Sequence, residues 1–554
     1  MIHVLRWRTA WSCALLALLL LPRVPSLVQP AGPDQALYAY AGSRILAGGL
    51  PYRDAWDQKP PGVHFAYAGL HALWPHESMV PAADLLVSAA VALLLLPLGR
   101  RLFGSSAAGL TAAALFLLLG DPTFNRLAGV RIRAQCETFI ALAVTAAMLL
   151  AAGAWRRDEV GASGSNGIAT RLERLAPLLV GALIGLAFTF KYNAIVYAAP
   201  IALSAMMPVG TLRATLRRLT LVGLGALVPV LAVVAIFAAG GTLADLYYAT
   251  ILYNLEYSGE TYAGPLSFVT YLLSFPVQHA RVDALWATGG LGCIVLLGAW
   301  LRRPERRDLL LPVVWVAAAC LSIAINGSRG LPQYFVQAAP ALALSAGAAA
   351  AILWPAGSVA VRLRPLARAA GMLLVAYGAW RVADFDKIPR NLSHDLAFLA
   401  GRITRDAHLE RYGGEPGAKY AALSVRRLGA YLKARTGPSD AVYVFGFSPG
   451  AYLAAGRVSS SRFFWSRPVL VGFNETVPGY GADGVLQDLE NRPPKYVVLQ
   501  IHDWAAPPDD SATFFASHPR LGPWLRARYQ RVEPLEDYEI WVRRPGDAQA
   551  GAPE

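Results

Sequence analysis

Asp34, Asp57, Lys59, Glu137 and Lys191 are carboxylates and ammonium groups set in or beside apolar stretches of a 554-residue chain. Ionisable groups at membrane depth are costly unless paired or hydrated, so these residues are the first candidates for chemistry. The segment YRDAWDQKPPG at 52–62 places Arg53, Asp54, Asp57 and Lys59 close together, ahead of Pro60 and Pro61. The two prolines fix φ and remove two amide donors, so Lys59 is presented on a stiff, non-helical loop. A lysine or arginine holds a phosphate and offsets charge on it as the bond to it breaks, while an aspartate removes a proton from an incoming hydroxyl. Such a set suits a substrate that carries a phosphate and a lipid tail.

The elements that must position these residues are apolar. The chain is 55% hydrophobic and 16% charged, with a mean hydropathy of +0.40, which points to a polytopic membrane protein. The net charge of +14 does not point to nucleic acid, because the arginines are dotted between apolar runs and form no patch. Cys13, Cys136, Cys293 and Cys320 match neither a zinc site nor a disulfide framework and read as small buried side chains. The opening MIHVLRWRTAWSCALLALLLLP resembles a signal peptide without a clean cleavage site, and is expected to remain as the first span.

A helix crossing the bilayer needs roughly 20 mostly apolar residues. About eleven such stretches can be marked, near 10–28, 80–98, 105–120, 134–153, 175–190, 194–208, 219–240, 283–301, 309–325, 335–354 and 369–383. With a cytoplasmic N-terminus, every second loop is basic, from Arg6 and Arg8 through Arg100 and Arg101 to Arg362, Arg364 and Arg368. That is the positive-inside pattern, and an odd number of spans leaves the C-terminus outside. Outside lie a loop at 29–79, a loop at 241–282, and a tail from about 385. The tail reads as a small α/β domain, with strands expected in DAVYVFGF and KYVVLQI and helices over 420–435 and 483–491.

This topology brings scattered polar residues to one face: Asp34, Asp57 and Lys59 in the first loop, Arg131, Arg133 and Glu137 at one span end, Lys191 in a KYN turn, and Arg329, Gln333 and Tyr334 before a late span. A polar cavity open to the outside is expected there. Each residue also has a plainer reading. Asp34 fits a cap on an amphipathic helix QALYAYAGSRIL, Asp54 a solvated loop charge, and Lys191 and Arg329 snorkelling anchors. Glu137 needs a cation or hydroxyl partner, and Arg133 is the cation nearest in sequence. His64, His71 and His76 read as interfacial packing in preference to metal ligands.

The stretch GPDQALYAYAGSRILAGGLPYRDAWDQKPPG resembles the first outside loop of polyprenyl-phosphate-dependent GT-C glycosyltransferases of family 39, which includes protein O-mannosyltransferases and lipid A aminoarabinose transferases. RAQCETF, GLAFTFKYNA and RGLPQYFVQAAPALAL agree with that resemblance, as does the tail. It implies a mainly α, GT-C membrane protein with juxtamembrane helices in the first loop. The catalytic module would be 1–384 and a soluble extracytoplasmic α/β domain 385–554, in a bacterial plasma membrane with the N-terminus cytoplasmic. The implied reaction is inverting transfer of a sugar from a polyprenyl-phosphate donor to a protein, lipid A or cell-envelope glycan.

By the same resemblance, Asp34 and Asp57 would be catalytic, and Lys59, Glu137, Arg133, Lys191, Arg329, Gln333 and Tyr334 would bind donor or substrate. The resemblance fixes no cofactor and admits a divalent cation, magnesium or manganese. Gln58 and Gln333 stand where relatives carry glutamate and histidine, and amides are poor ligands for zinc or manganese, which speaks against a metal site built as in those relatives. The rival reading is a transporter or lipid-linked-sugar flippase. Against it stand the absence of an internal repeat and the clustering of candidates at span ends.

Overall fold

The computed structural model describes residues 14–120, 129–159, 168–207, 211–259, 261–353, 387–413, 420–503 and 510–545. Among the described residues most elements are helices, and a five-stranded sheet accompanies them. Among the described residues six helices are long and apolar enough to cross a membrane, Met79–Phe103, Cys136–Gly153, Leu212–Ala239, Ala284–Arg302, Arg307–Ile325 and Pro332–Leu353, and the bent pair Ala14–Val28 and Pro33–Leu46 makes a seventh if it is one span. Ser106–Leu119, Leu175–Phe190 and Tyr192–Met206 are apolar but shorter. The stretch expected near 369–383 lies outside the described residues.

The chain divides into two compact units. Unit one holds Met1–Leu27, Pro81–Ile236 and Leu255–Ser393, and unit two holds Val28–Val80, Phe237–Asn254 and His394–Glu554.

Unit one packs its helices closely through small residues. A Cβ on Gly181 would fall 1.9 Å from the Val222 carbonyl oxygen, so glycine is what lets the Ile168–Phe190 helix lie against the Leu212–Ala239 helix. Close backbone approach of this kind is the usual source of helix association where lipid removes the hydrophobic drive. Among the described residues Cys136, Cys293 and Cys320 are free thiols, the first and last buried.

Unit two contains the first long loop and the tail. The loop is two helices, Pro33–Leu46 and Gly62–Leu73, joined by the charged segment. Pro33–Leu46 is not amphipathic as expected, because every residue from Gln35 to Gly42 is buried. Within unit two it packs against Gly62–Leu73, where Tyr38 meets Tyr67, and against the Gly450–Ala455 helix, where Tyr40 meets Tyr452. The segment read as loop 241–282 is largely helical too: Leu243–Tyr247 lies in unit two, and Pro265–Ala280 in unit one.

The tail carries β1 (Ala441–Phe445), β2 (Val458–Ser459), β3 (Tyr496–Gln500), β4 (Tyr529–Arg531) and β5 (Tyr538–Arg543) in the order β2-β1-β3-β5-β4. β1 runs parallel to β2 and β3, while β5 pairs antiparallel with β3 and β4. β1 and β3 are fully buried, as their continuous apolar runs require. Ala422–Arg435 and Gly481–Asn491 form the expected helices.

His408 makes unit two sensitive to acid. Its ring is stacked 4.3 Å from that of Phe398 and 5.1 Å from that of His394, and Nε2 donates to the Val28 carbonyl at 3.2 Å. Burial, with His394 and Arg411 nearby, pulls its pKa down to about 4. The native imidazole thus binds fewer protons than the unfolded one between about 4 and the ordinary 6.5, and stability is lost as pH falls through that window. We expect His408→Phe, which preserves ring stacking, to flatten that loss by about 2 kcal/mol at pH 4.5, read as hydrogen exchange across 394–412 at pH 7 and 4.5.

Candidate active site

In unit two the charged segment is clamped from within. Tyr52 adopts φ 70°, outside the usual region for a side-chain residue, and its amide donates to the Ala55 carbonyl at 2.8 Å. Its hydroxyl donates to the Lys59 carbonyl at 2.7 Å, closing the loop over seven residues. Asp54 is not merely solvated: it accepts from the Leu50 amide at 2.7 Å and pairs with Arg53. Trp56 is wholly buried and its ring meets those of Tyr253, Phe463, Trp465 and Phe473. Asn254 Nδ2 donates to the Gln58 carbonyl at 2.7 Å. The backbone around Lys59 is therefore held at both ends, while the Lys59 side chain is half-buried.

Asp57 is buried, and both its oxygens are engaged. Oδ1 accepts from the Gln58 amide at 2.7 Å, and Oδ2 accepts from His64 Nε2 at 2.9 Å. A carboxylate only accepts, which puts the imidazole proton on Nε2. His64 is itself 0% exposed, so the histidine read as interfacial packing is the partner of the loop carboxylate. Its position seven residues on, across the Pro60–Pro61 corner and in the first turn of Gly62–Leu73, is the sequence signal that could have paired them.

Asp34 lies in the first turn of Pro33–Leu46. The N-cap there is Gly32, with no side-chain cap, so Asp34 is not the capping residue. It is half-buried, and a carboxylate in a first helical turn is favoured in its charged form by the helix dipole.

In unit one, Glu137 opens the Cys136–Glu159 helix and Lys191 sits where the Ile168–Phe190 helix breaks. Lys191 is extended, with φ −155° and ψ 132°, before the 3-10 helix Tyr192–Tyr197. Its Nζ is 2.5 Å from Glu137 Oε1, with the two side chains 8% and 1% exposed. Asn326 Oδ1 lies 3.5 Å from the same Nζ, and the Tyr334 ring centroid 4.3 Å. An ammonium over an aromatic face and against a carboxylate is a fully engaged buried cation.

Arg133 is not Glu137's partner. The helix begins only at Cys136, so the two are not a turn apart on it. Arg133 instead bonds Ser26, through the carbonyl at 3.0 Å and the hydroxyl at 2.6 Å, and faces Asp84 Oδ2 at 3.7 Å. The side chain of Arg131 lies outside the described residues. Arg329 stacks on Tyr257 with its guanidinium carbon 3.5 Å from the ring centroid. Gln333 is half-buried and Tyr334 buried in the 3-10 helix Pro332–Ala338.

The donor set for a divalent cation is thin. Among the described residues no three His, Cys, Asp or Glu side chains come together. Asp57 is committed to His64 and Glu137 to Lys191, so the residues present do not fit such a site and no step is routed through a metal.

No family model matches the sequence, and no curated protein matches it. Solved structures do. ArnT from Cupriavidus metallidurans bound to undecaprenyl phosphate is similar over 99% of this chain and 100% of its own, at a TM-score of 0.56 and 17% identity. The same protein in the apo state gives 0.54 and 16%, over 99% and 100%. The oligosaccharyltransferase of Archaeoglobus fulgidus in the apo form gives 0.51 and 14%, over 98% of this chain and 75% of that one. The chain has the GT-C fold.

Proposed function

We propose that this chain is a membrane glycosyltransferase that moves a sugar from a polyprenyl-phosphate donor to an acceptor hydroxyl or phosphate outside the cytoplasm. The observation that carries this reading is the end-to-end likeness to an ArnT structure that binds undecaprenyl phosphate. The stiffened Lys59 loop supplies what such a donor needs, a cation on a backbone that does not reorganise.

In the proposed reaction the acceptor oxygen attacks the anomeric carbon from the face opposite the phosphate, with inversion. Where the acceptor is a hydroxyl, Asp34 takes its proton. The carbon–oxygen bond to the phosphate breaks, and the lipid phosphate leaves with the electron pair. Lys59 meets its charge, with Lys191 and Arg329 assisting. Asp57 acts as a positioning residue through His64 and the Gln58 amide, and Glu137 positions Lys191. Gln333 and Tyr334 contribute to substrate binding, while Arg133 serves through its hold on Ser26 and Asp84.

We further assign about eleven spans, a cytoplasmic N-terminus, a catalytic module over 1–384 and an extracytoplasmic domain over 385–554, in a bacterial plasma membrane. The acceptor is a protein, lipid A or an envelope glycan.

The test is sugar release from a radiolabelled polyprenyl-phosphate donor by purified protein in nanodiscs with membrane extract. Transfer to any acceptor supports the reading. No transfer from any such donor by folded protein overturns it in favour of a transporter. Lys59→Ala should weaken donor binding by roughly tenfold, since a hydrogen bond between charged partners contributes on the order of 1.5–3 kcal/mol. Unchanged donor affinity would remove Lys59 from the phosphate site.

A further inference from the structure

Unit two contains a cavity of about 480 Å³ that shares none of its lining with Asp34, Asp57 or Lys59. Its floor is apolar, formed by Ala36, Ala39, Val425 and Leu453 among others. Arg426 and Lys433, two turns apart on the Ala422–Arg435 helix, face it. Among the described residues neither has a carboxylate partner, whereas Glu77, the acid in the lining, is taken by Arg405. The cavity therefore offers an apolar volume of ligand size beneath two cations that remain available.

Its place in the chain says where it lies. Pro30 and Ala31 line it at the bend of the apolar pair Ala14–Val28 and Pro33–Leu46, which are turned 74° from one another, and Met79 and Val80 line it at the start of the apolar helix Met79–Phe103. A cavity built on the end of a span and on the bend of an apolar helix pair fits the membrane–water boundary. Beside it, Leu73 is 87% exposed and Trp74 55%, between the lining residues His71 and Pro75. An exposed Leu-Trp pair at a helix end is what an interfacial lipid contact uses.

We propose that this cavity binds a bilayer phospholipid with net negative charge, its phosphate at Arg426 and Lys433 and its glycerol and upper acyl carbons against the apolar floor. The site is separate from the transfer reaction and requires only that the chain be a membrane protein. It would tie unit two to the lipid surface.

The test uses the full chain in detergent, with phosphatidylglycerol as probe and bound lipid counted by native mass spectrometry. Arg426→Gln with Lys433→Gln should weaken phosphatidylglycerol binding by roughly tenfold or more, since each basic residue at an anionic surface contributes about 1 kcal/mol. Ala454→Trp, at an exposed lining position, should do the same by filling the cavity without touching charge. Both variants should melt as the wild type does. Unchanged affinity in either variant overturns the proposal, because loss on charge removal alone would mean diffuse surface attraction. So would competition by millimolar inorganic phosphate, which would make it a plain anion site, or preferential displacement by undecaprenyl phosphate, which would make it a donor site.

Discussion

Asp34→Asn is expected to lower sugar transfer by about 10³-fold while leaving affinity for the polyprenyl-phosphate donor nearly unchanged, because general base catalysis contributes about 10²–10⁴. The substitution removes a proton acceptor and almost no volume. Asp34 is half-buried in the first turn of Pro33–Leu46 and is not its N-cap. Losing the charge also weakens a helix-dipole interaction of about 0.3–1 kcal/mol. Asp34→Glu should recover part of the rate, since it restores the base at a displaced position. The measurement is single-turnover release of lipid phosphate beside donor binding by the same protein. A rate within tenfold of wild type would take the base role away from Asp34; loss of donor binding in step with rate would make it a donor ligand.

Each candidate residue was legible one at a time, and their pairings much less so. Glu137 and Lys191 stand out because an acid and an amine interrupt apolar runs. Their union crosses 54 positions and depends on where the Ile168–Phe190 helix stops, which hydropathy does not resolve within a residue or two. Arg133 is the cation nearest to Glu137 in sequence, but residues 133–135 precede the helix and so do not share its face. His64 was hidden by its neighbours: in GVHFAYAGLHAL it reads as one more interfacial ring, and only the fold of the Pro60–Pro61 corner puts it on Asp57. The strands of the tail were plain because β-branched and aromatic runs bounded by Pro and Gly have few alternatives. The helix Pro265–Ala280 was missed because Ser267, Thr270, Ser274, Gln278, His279 and an inner proline interrupt its apolar run.

The Glu137–Lys191 pair separates architecture from chemistry. Glu137→Leu alone leaves a buried ammonium against Tyr334 and Asn326 with no carboxylate, and Lys191→Met alone leaves a carboxylate 1% exposed. Removing one member of a buried pair costs about 3–5 kcal/mol, whereas replacing both by apolar side chains of similar volume is often neutral. Each single variant is therefore expected to unfold earlier, and Glu137→Leu/Lys191→Met to regain most of the wild-type melting temperature. Transfer should not return with it. If Lys191 offsets phosphate charge in the transition state, the refolded double variant still lacks that cation and should remain roughly 10²-fold slow, the scale of losing one charge-stabilising donor. Thermal unfolding and turnover measured on the same four proteins make the distinction. A double variant that is both stable and fully active would reduce the pair to a strut holding the Lys191 break in place, and would shift the search for the phosphate's partners to Lys59 and Arg329.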